Sequence, residues 1–377
     1  MGKQIWKKMF LIVFIISIGL TMSGCWDYQE INNVTNVAGI ALDKGEEKKF
    51  KLTFETIVFK PSADFNISVK LVETEGDTIF EGIRNAVAVA GKRLYIGHCK
   101  AIIFSEEIAK EGIKEHLDFF VRDHELRMTL LVFVAKGVEA RETLKDTALN
   151  HQIASYELER LVRNDEKYSS LSNHKLLFEV MREILDEGIS LTLPVVEIKQ
   201  IEENKTFTME GIFYFENDKL AGFIEPEEIK FYLILKGKLK GGIINVPLED
   251  NPNQFIVYEI QGCQTDFEFK TGNNPLLITK VSIKTSIGSN PVILSRQFSV
   301  QDYQRMLETW LNQELVRFFA KIKNQVKCDV CGFEKRFFQK YYQEWLKLSE
   351  DNKDFFEILE FQVKVKSEVN HTGTVKP

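Results

Sequence analysis

The chain has 377 residues, 44% hydrophobic and 28% charged, which is an ordinary balance for a folded protein of two or three domains. Its formal net charge is −6, and its first 24 residues contain three lysines and no acid, so the remainder is more acidic still. An acidic body excludes a duplex nucleic acid partner, which needs a basic face. It also gains no electrostatic help from an anionic membrane, so we expect any membrane attachment to be apolar.

The amino terminus has the pattern of an export signal. Three lysines precede an unbroken apolar stretch, Met9 to Leu20, which fits a signal core and is short for a spanning helix of about 20 residues. Met22-Ser23-Gly24-Cys25 then follows the lipobox pattern, with Met22 in place of the usual leucine. In a lipobox the cysteine carries a diacylglyceryl group as a thioether, and the two small residues before it let a peptidase cut there. We predict a lipoprotein signal at residues 1–24 and lipid attachment at Cys25, against an uncleaved anchor or an ordinary cleaved signal.

Residues 25–203 alternate between strand and helix patterns, which indicates an α/β arrangement of one or two subdomains. Phe50, Leu52 and Phe54 alternate with polar residues, the period of a half-buried strand, and Ser105 is a predicted helix N-cap. The predicted strands are 36–59 with a turn at 43–45, 66–73, 94–104 and 128–134, and the predicted helices are 77–90, 106–121, 138–144 and most of 150–188. An extended exit at Leu193-Pro194 leads to a polar stretch at 202–205, where we place a domain boundary.

Residues 204–377 have strands first and helices later, which is typical of an α+β domain. The pattern predicts a β-hairpin at 208–224, a helix at 226–235, strands at 243–246, 255–260, 265–269 and 276–287, a long amphipathic helix at 300–326, a short aromatic-rich helix at 337–348 and a last strand at 358–369. The predicted fold class is therefore mixed: an α/β half followed by an α+β domain, about three domains in all.

The five cysteines leave one unpaired for another use, which we assign to Cys25. The close spacing of Cys328 and Cys331 raises the possibility of a metal site or a redox pair. Zinc needs about four ligands, and the sequence has no second close pair. A thioredoxin-like redox pair would begin a helix after an early strand, whereas this pair lies between late predicted helices. We expect a local disulfide or two free thiols there, and a structural role for the lone His98. No catalytic motif is present, so we predict no enzymatic activity, no metal and no cofactor beyond the lipid on Cys25.

Short motifs occur in order along the chain: Cys25-Trp26-Asp27, Glu30-Ile31, Gly39-Ile40 with Asp43, Gly76-Asp77-Thr78 with Ile83-Arg84, Tyr95-Ile96-Gly97-His98, the stretch Glu107 to Ile113, Arg122-Asp123, Leu193-Pro194, Gly211, Phe215, Asp218-Lys219-Leu220 with Gly222, Glu228, Gly241-Gly242, Asp329 with Gly332-Phe333, and Trp345. In this order and spacing they resemble the Ger(x)C lipoproteins, the C subunits of spore germinant receptors in endospore-forming bacteria. The resemblance covers nearly the whole mature chain. Cys328 and Cys331 depart from the family pattern.

The resemblance implies a non-enzymatic subunit held by lipid at the outer face of the spore inner membrane. There it would work with a membrane-embedded A subunit and a transporter-like B subunit to sense nutrients and trigger germination, and it would have a mixed α/β fold of about three domains. The alternative is a solute-binding lipoprotein that delivers a nutrient to a membrane transporter. Such proteins usually have two similar lobes, whereas the halves here differ, so we do not expect direct nutrient binding.

Overall fold

The computed structural model describes residues 2–21, 33–60, 66–145, 153–201, 204–291, 298–350 and 354–371. In these residues the strands are β1 Val34–Lys44, β2 Phe50–Lys60, β3 Asn66–Gly76, β4 Arg93–Tyr95, β5 Ala101–Ser105, β6 Leu131–Ala135, β7 Thr192–Ile201, β8 Asn204–Thr208, β9 Ile212–Glu216, β10 Lys219–Ile224, β11 Ile243–Leu248, β12 Asn251–Lys270, β13 Leu276–Ser289 and β14 Glu360–His371. The helices are α1 Gly2–Thr21, α2 Ile79–Ala90, α3 Glu106–Glu111, α4 Lys114–Arg122, α5 Ala154–Asn164, α6 Leu177–Leu185, α7 Ile229–Lys236, α8 Val300–Lys321, α9 Phe333–Lys340, α10 Tyr342–Glu350 and α11 Phe355–Ile358.

The first sheet has ten strands in the order β10-β9-β7-β6-β5-β1-β2-β3, with β4 beside β1 and β8 beside β7. Its centre, from β7 to β1, is parallel, and antiparallel hairpins extend it at both sides. The central strands β5 and β6 are buried on both faces, which explains why their sequences are continuous apolar runs without alternation. Helices α2, α3, α4 and α6 contribute to the core on one face, and α5 to the core on the other.

The second sheet has four strands in the order β11-β12-β13-β14, and the last pair is parallel. Helix α8 begins at a capping box, in which Ser299 and Asp302 bond each other's backbone N–H groups, and it packs along β14. Its buried stripe of Leu307, Leu311 and Leu315 repeats at helical spacing and joins α7, α9 and α11 in one core under this sheet.

The predicted fold class, a mixed fold of an α/β half and an α+β part with a long amphipathic helix, is confirmed. The boundary predicted near residue 203 falls between β7 and β8, which pair with each other in the first sheet. The hairpin β9–β10, predicted to open the second half, also belongs to that sheet because Leu193 and Pro194 of β7 pair with β9. The division into domains stays a prediction, but the two halves of the chain share one sheet.

Several predicted elements have different bounds in the structure. The strand predicted at 94–104 is two strands, because residues 96–100 leave the ladder in a turn closed by Cys99 N–H on Ile96 O. The helix predicted at 106–121 breaks at Gly112, whose φ of +126° is outside the helical range. The two strands predicted at 255–260 and 265–269 are one, β12, which passes a bulge near Gly262 without ending.

Candidate functional site

Cys25, the predicted lipid attachment site, lies outside the described residues, and so does the whole lipobox. The apolar stretch before it lies within helix α1. Among the residues that the structure describes, no helix has the length and apolar character needed to cross a membrane. Lipid attachment at Cys25 therefore stays a prediction.

Cys328 and Cys331 are free thiols in the structure, so of the two states predicted for them the local disulfide is absent. Cys331 is fully buried in the second core, and burial raises the pKa of its thiol to about 12. His98 is exposed and meets the ring of Tyr95 edge-on at 5.4 Å. Within the described ranges, no three His, Cys, Asp or Glu side chains are grouped closely enough to hold a metal ion.

The junction of the two halves contains a buried ion cluster that we call the junction cluster: Asn173, Lys175, Glu183 and Thr192 from the first half and Tyr232 and Lys236 from helix α7. The carboxylate of Glu183, on helix α6, accepts hydrogen bonds from the Nζ of both Lys175 and Lys236, the latter at 3.3 Å. The same Lys236 ammonium donates to the carbonyl of Val330 at 2.9 Å. One carboxylate thus joins two lysines from opposite sides of the junction.

A second set of hydrogen bonds involves the hydroxyl group of Tyr232, whose side chain is fully buried. Asn173 Nδ2 donates to its hydroxyl oxygen at 3.0 Å, and Thr192 Oγ1 lies 3.0 Å from the same oxygen. Burial raises the pKa of Tyr232 to about 12, so the phenol stays neutral and can donate to Thr192.

The charges of the junction cluster depend on one another. Burial alone would raise the pKa of Glu183, but the ammonium groups of Lys236 and Lys175 outweigh it and lower that pKa to about 2. Burial and the charge of Lys236 lower the pKa of Lys175 to about 7. An ionised carboxylate is therefore held in the protein interior only because these lysines surround it.

The loop between α6 and β7 packs against the first turn of α9. Ser190 N–H donates to the carbonyl of Asp329, and Lys335 N–H donates to the carbonyl of Gly188, at 2.9 and 3.0 Å. The carboxylate of Asp329 accepts the N–H groups of Gly332 and Glu334, both at 2.8 Å, and so caps the start of α9. This carboxyl-terminal motif therefore fixes the second half to the first.

Trp345 extends the same contact from helix α10. Its indole Nε1 donates to Glu334 at 2.9 Å, and Lys335 beside it pairs with Asp186 at the end of α6. A shallow groove of about 300 Å³ runs between Leu185 and the rings of Phe338 and Trp345.

The hairpin β9–β10 contacts the first half at a second place. Asp218 accepts from Ile113 N–H through its carbonyl at 3.0 Å and from Lys114 N–H through its carboxylate at 3.3 Å. These are the first N–H groups of α4, which lack partners within the helix. A Cβ at Gly112 would lie 2.7 Å from the Asp218 carboxylate, so glycine allows this close approach.

A cleft of about 260 Å³ lies beside the junction cluster and is lined by Asn173, His174, Lys238 and Lys240 among others. Lys238 pairs with Glu179 at 3.1 Å, and Lys240 pairs with Glu166. The cleft is smaller than the roughly 300 to 1,000 Å³ of most ligand sites. Its lysines are engaged by neighbouring carboxylates.

Two family models match successive parts of the chain: the spore germination protein N-terminal domain over residues 27–198 and the spore germination B3/GerAC-like C-terminal domain over residues 210–373. The chain belongs to the Ger(x)C family of spore germination proteins.

Its similarity to individual members of the Ger(x)C family is low but extends over whole chains. The spore germination protein YndF of Bacillus subtilis (strain 168) is 25% identical over 100% of both chains. The spore germination protein KC of the same organism is 22% identical over 97% of this chain and 96% of that protein. The crystal structure of the GerBC protein superposes with a TM-score of 0.54 at 17% identity, covering 88% of this chain and 96% of that one.

Two of the motifs that carried the family resemblance lie at contacts between the halves. Asp218 and Gly112 meet at the start of α4, while Asp329 and Gly332 hold α9 against the loop before β7. The junction cluster itself was not predicted. A signal for it exists, because Glu183 falls at helical spacing on the apolar stripe of α6, and Lys236 does so on α7.

Proposed function

We propose that the chain is the lipid-anchored C subunit of a nutrient germinant receptor, needed for receptor assembly and for the germination response. The match of the two spore germination family models to successive parts of the chain carries this proposal. Cys25 would hold the protein at the outer face of the spore inner membrane through its acyl chains. There the folded part would contact the membrane-embedded A and B subunits.

The architecture supports a structural role rather than catalysis. The buried charges of the junction cluster are engaged with one another and close the contact between the halves. Such a contact suits a subunit that holds partners in a fixed arrangement.

The first experiment tests the anchor. Cys25→Ala removes the thiol that would carry the diacylglyceryl group, so we expect the protein to be released from spore membranes or to accumulate as uncleaved precursor. Cys263→Ala, at a half-buried thiol in the second sheet, is the matched control and should stay membrane-bound. A Cys25→Ala protein that is processed and fractionates with membranes like the parent would contradict the lipid assignment.

The second experiment separates this function from a solute-binding lipoprotein. Deletion of the chain should abolish nutrient-induced germination, while calorimetry of the full chain in detergent should detect no tight binding of amino acids or sugars. Micromolar affinity, about −8 kcal/mol, would favour the solute-binding function instead.

A further inference from the structure

The end of the first sheet at which β1 begins lies close to Cys25, because the segment that joins them is short. Seven residues separate Cys25 from Asn33, the residue before β1, and a fully extended chain of this length spans at most about 29 Å. If Cys25 carries the lipid, as proposed above, the end of the sheet at which β1 begins must lie within that distance of the membrane.

The structure identifies what else lies at this end. Strand β4 begins beside the start of β1, with Val34 paired to Arg93, and the turn from α2 into β4 lies just outside it. Arg93 forms an ion pair with Glu125, which brings the loop between α4 and β6 to the same place. Strand β2 ends beside the start of β1, so Ile67 of β3, opposite Phe59, lies there too.

The side chains at this end combine apolar and basic character. Val89, Ile67 and Met128 are large apolar side chains that are 64%, 41% and 36% exposed. Lys92, in the turn before β4, and Arg127, in the loop before β6, are also exposed. We call Ile67, Val89, Lys92, Arg127 and Met128 the anchor-side surface.

Two acids among the described residues at this end, Glu125 and Asp123, are engaged. Glu125 pairs with Arg93, and the Asp123 carboxylate accepts the N–H of Glu125 at 2.8 Å. At the opposite end of β1 and β2, the exposed acids Glu46, Glu47 and Asp77 lie among the exposed Lys44, Lys48 and Lys49, and Lys48 pairs with Asp77 at 2.6 Å. The two ends therefore differ: the anchor side combines exposed apolar side chains with Lys92 and Arg127, whereas the far end carries exposed lysines and acids together.

We propose that the anchor-side surface rests on the bilayer into which Cys25 is inserted. Exposed apolar side chains would enter the headgroup region, and Lys92 and Arg127 would meet anionic lipid headgroups. A tethered protein needs little further binding energy to adopt one orientation, because the anchor already holds this surface near the membrane. The folded part would then stand on the membrane with the far end of β1 and β2, where Lys44 and Lys49 lie, pointing away from it.

The test uses the full lipidated chain, purified without other subunits, in vesicles of phosphatidylglycerol and phosphatidylethanolamine and in detergent micelles. Hydrogen–deuterium exchange is followed in peptides covering 86–94 and 122–128 at the anchor side, and 43–50 at the far end. We expect slower exchange in vesicles at the first two peptides and no change at the third. The double variant Lys92→Glu with Arg127→Glu should lose the slowing, whereas Lys44→Glu with Lys49→Glu, the same charge change at the far end, should retain it.

Three outcomes would overturn the proposal. Equal exchange in vesicles and micelles at the anchor side would mean that this surface does not meet lipid and is free for a protein partner. Slowing at 43–50 instead would reverse the orientation. If the Cys25→Ala chain were recovered with vesicles as fully as the parent, Cys25 would not be the lipid anchor. The limit on the distance between β1 and the membrane would then no longer hold. Unlike the first two outcomes, this one also contradicts the proposed function.

Discussion

At the scale of single residues, Glu183 is a buried carboxylate that joins the two halves of the chain. Its side chain is 3% exposed and lies between two lysines that are themselves buried. A buried ion pair is not by itself a source of stability, because removing its charges from water costs about as much as their attraction returns. Its effect is to make each charge depend on the others, so that α6 and α7 cannot separate without leaving a buried charge unpaired.

Glu183→Gln should therefore destabilise the protein strongly. The variant keeps the shape of the side chain but leaves Lys175 and Lys236 without their shared counter-charge, which we expect to lower the free energy of unfolding by about 3–5 kcal/mol. Chemical denaturation measures the change. The control is Glu344→Gln, which breaks the exposed pair with Lys347 and should shift stability by less than about 0.5 kcal/mol. Similar values for the two variants would show that the junction cluster does not hold the halves together.

At the scale of elements, the turn after α6 decides how α9 is placed. Gly188 has a φ of +73°, and a Cβ there would lie 2.9 Å from the backbone nitrogen of Lys335. That nitrogen donates to the carbonyl of Gly188, so the contact cannot open without loss of the hydrogen bond. The absence of a side chain at Gly188 is what allows the two halves to approach.

Gly188→Ala should cost more than the same change at a matched glycine. Gly137 has a φ of +72° but open space around its missing Cβ, so Gly137→Ala should cost only the backbone strain, about 1–2 kcal/mol. Gly188→Ala should lose at least about 1 kcal/mol more, because α9 must move away. Thermal unfolding of both variants measures the difference, and equal losses would mean that α9 adjusts without cost.

At the scale of the whole molecule, the two sheets are joined by more than a linker. Strands β8, β9 and β10 come from the second half of the sequence but complete the first sheet. Ile212 and Ile224 of this hairpin belong to the core under the second sheet. The hairpin therefore contributes to both cores, and neither core is complete without it.

We therefore expect the mature chain to unfold in a single transition. In a Trp26→Phe variant, the tryptophan fluorescence of the mature chain comes from Trp310 and Trp345, both in the second half, while far-UV ellipticity reports on both halves. The two signals should change at the same denaturant concentration. Separate midpoints would show that the halves are independent folding units and that the junction cluster is only a contact between them.

The sequence alone predicted the class of the protein and most of its elements. The spacing of apolar residues, alternating in strands and three to four apart in helices, located β1 to β3, α2, α8 and β14. Each of these elements buries one face, so its apolar residues repeat at the period of that face. Ordered motifs such as Asp329 with Gly332 identified the family without any knowledge of their contacts. Lipid attachment at Cys25 also came from sequence and awaits experiment.

Only the tertiary structure decided how these elements meet. The pairing of β7 with β8 and β9 depends on contacts between separate segments, which local periodicity does not report. The role of Glu183 could not be predicted from the sequence, because its partners, Lys175 and Lys236, are known only from the structure. The same applies to the anchor-side surface, because its residues come from separate segments and only the pairing of β1 with β2 and β4 brings those segments to one end of the sheet.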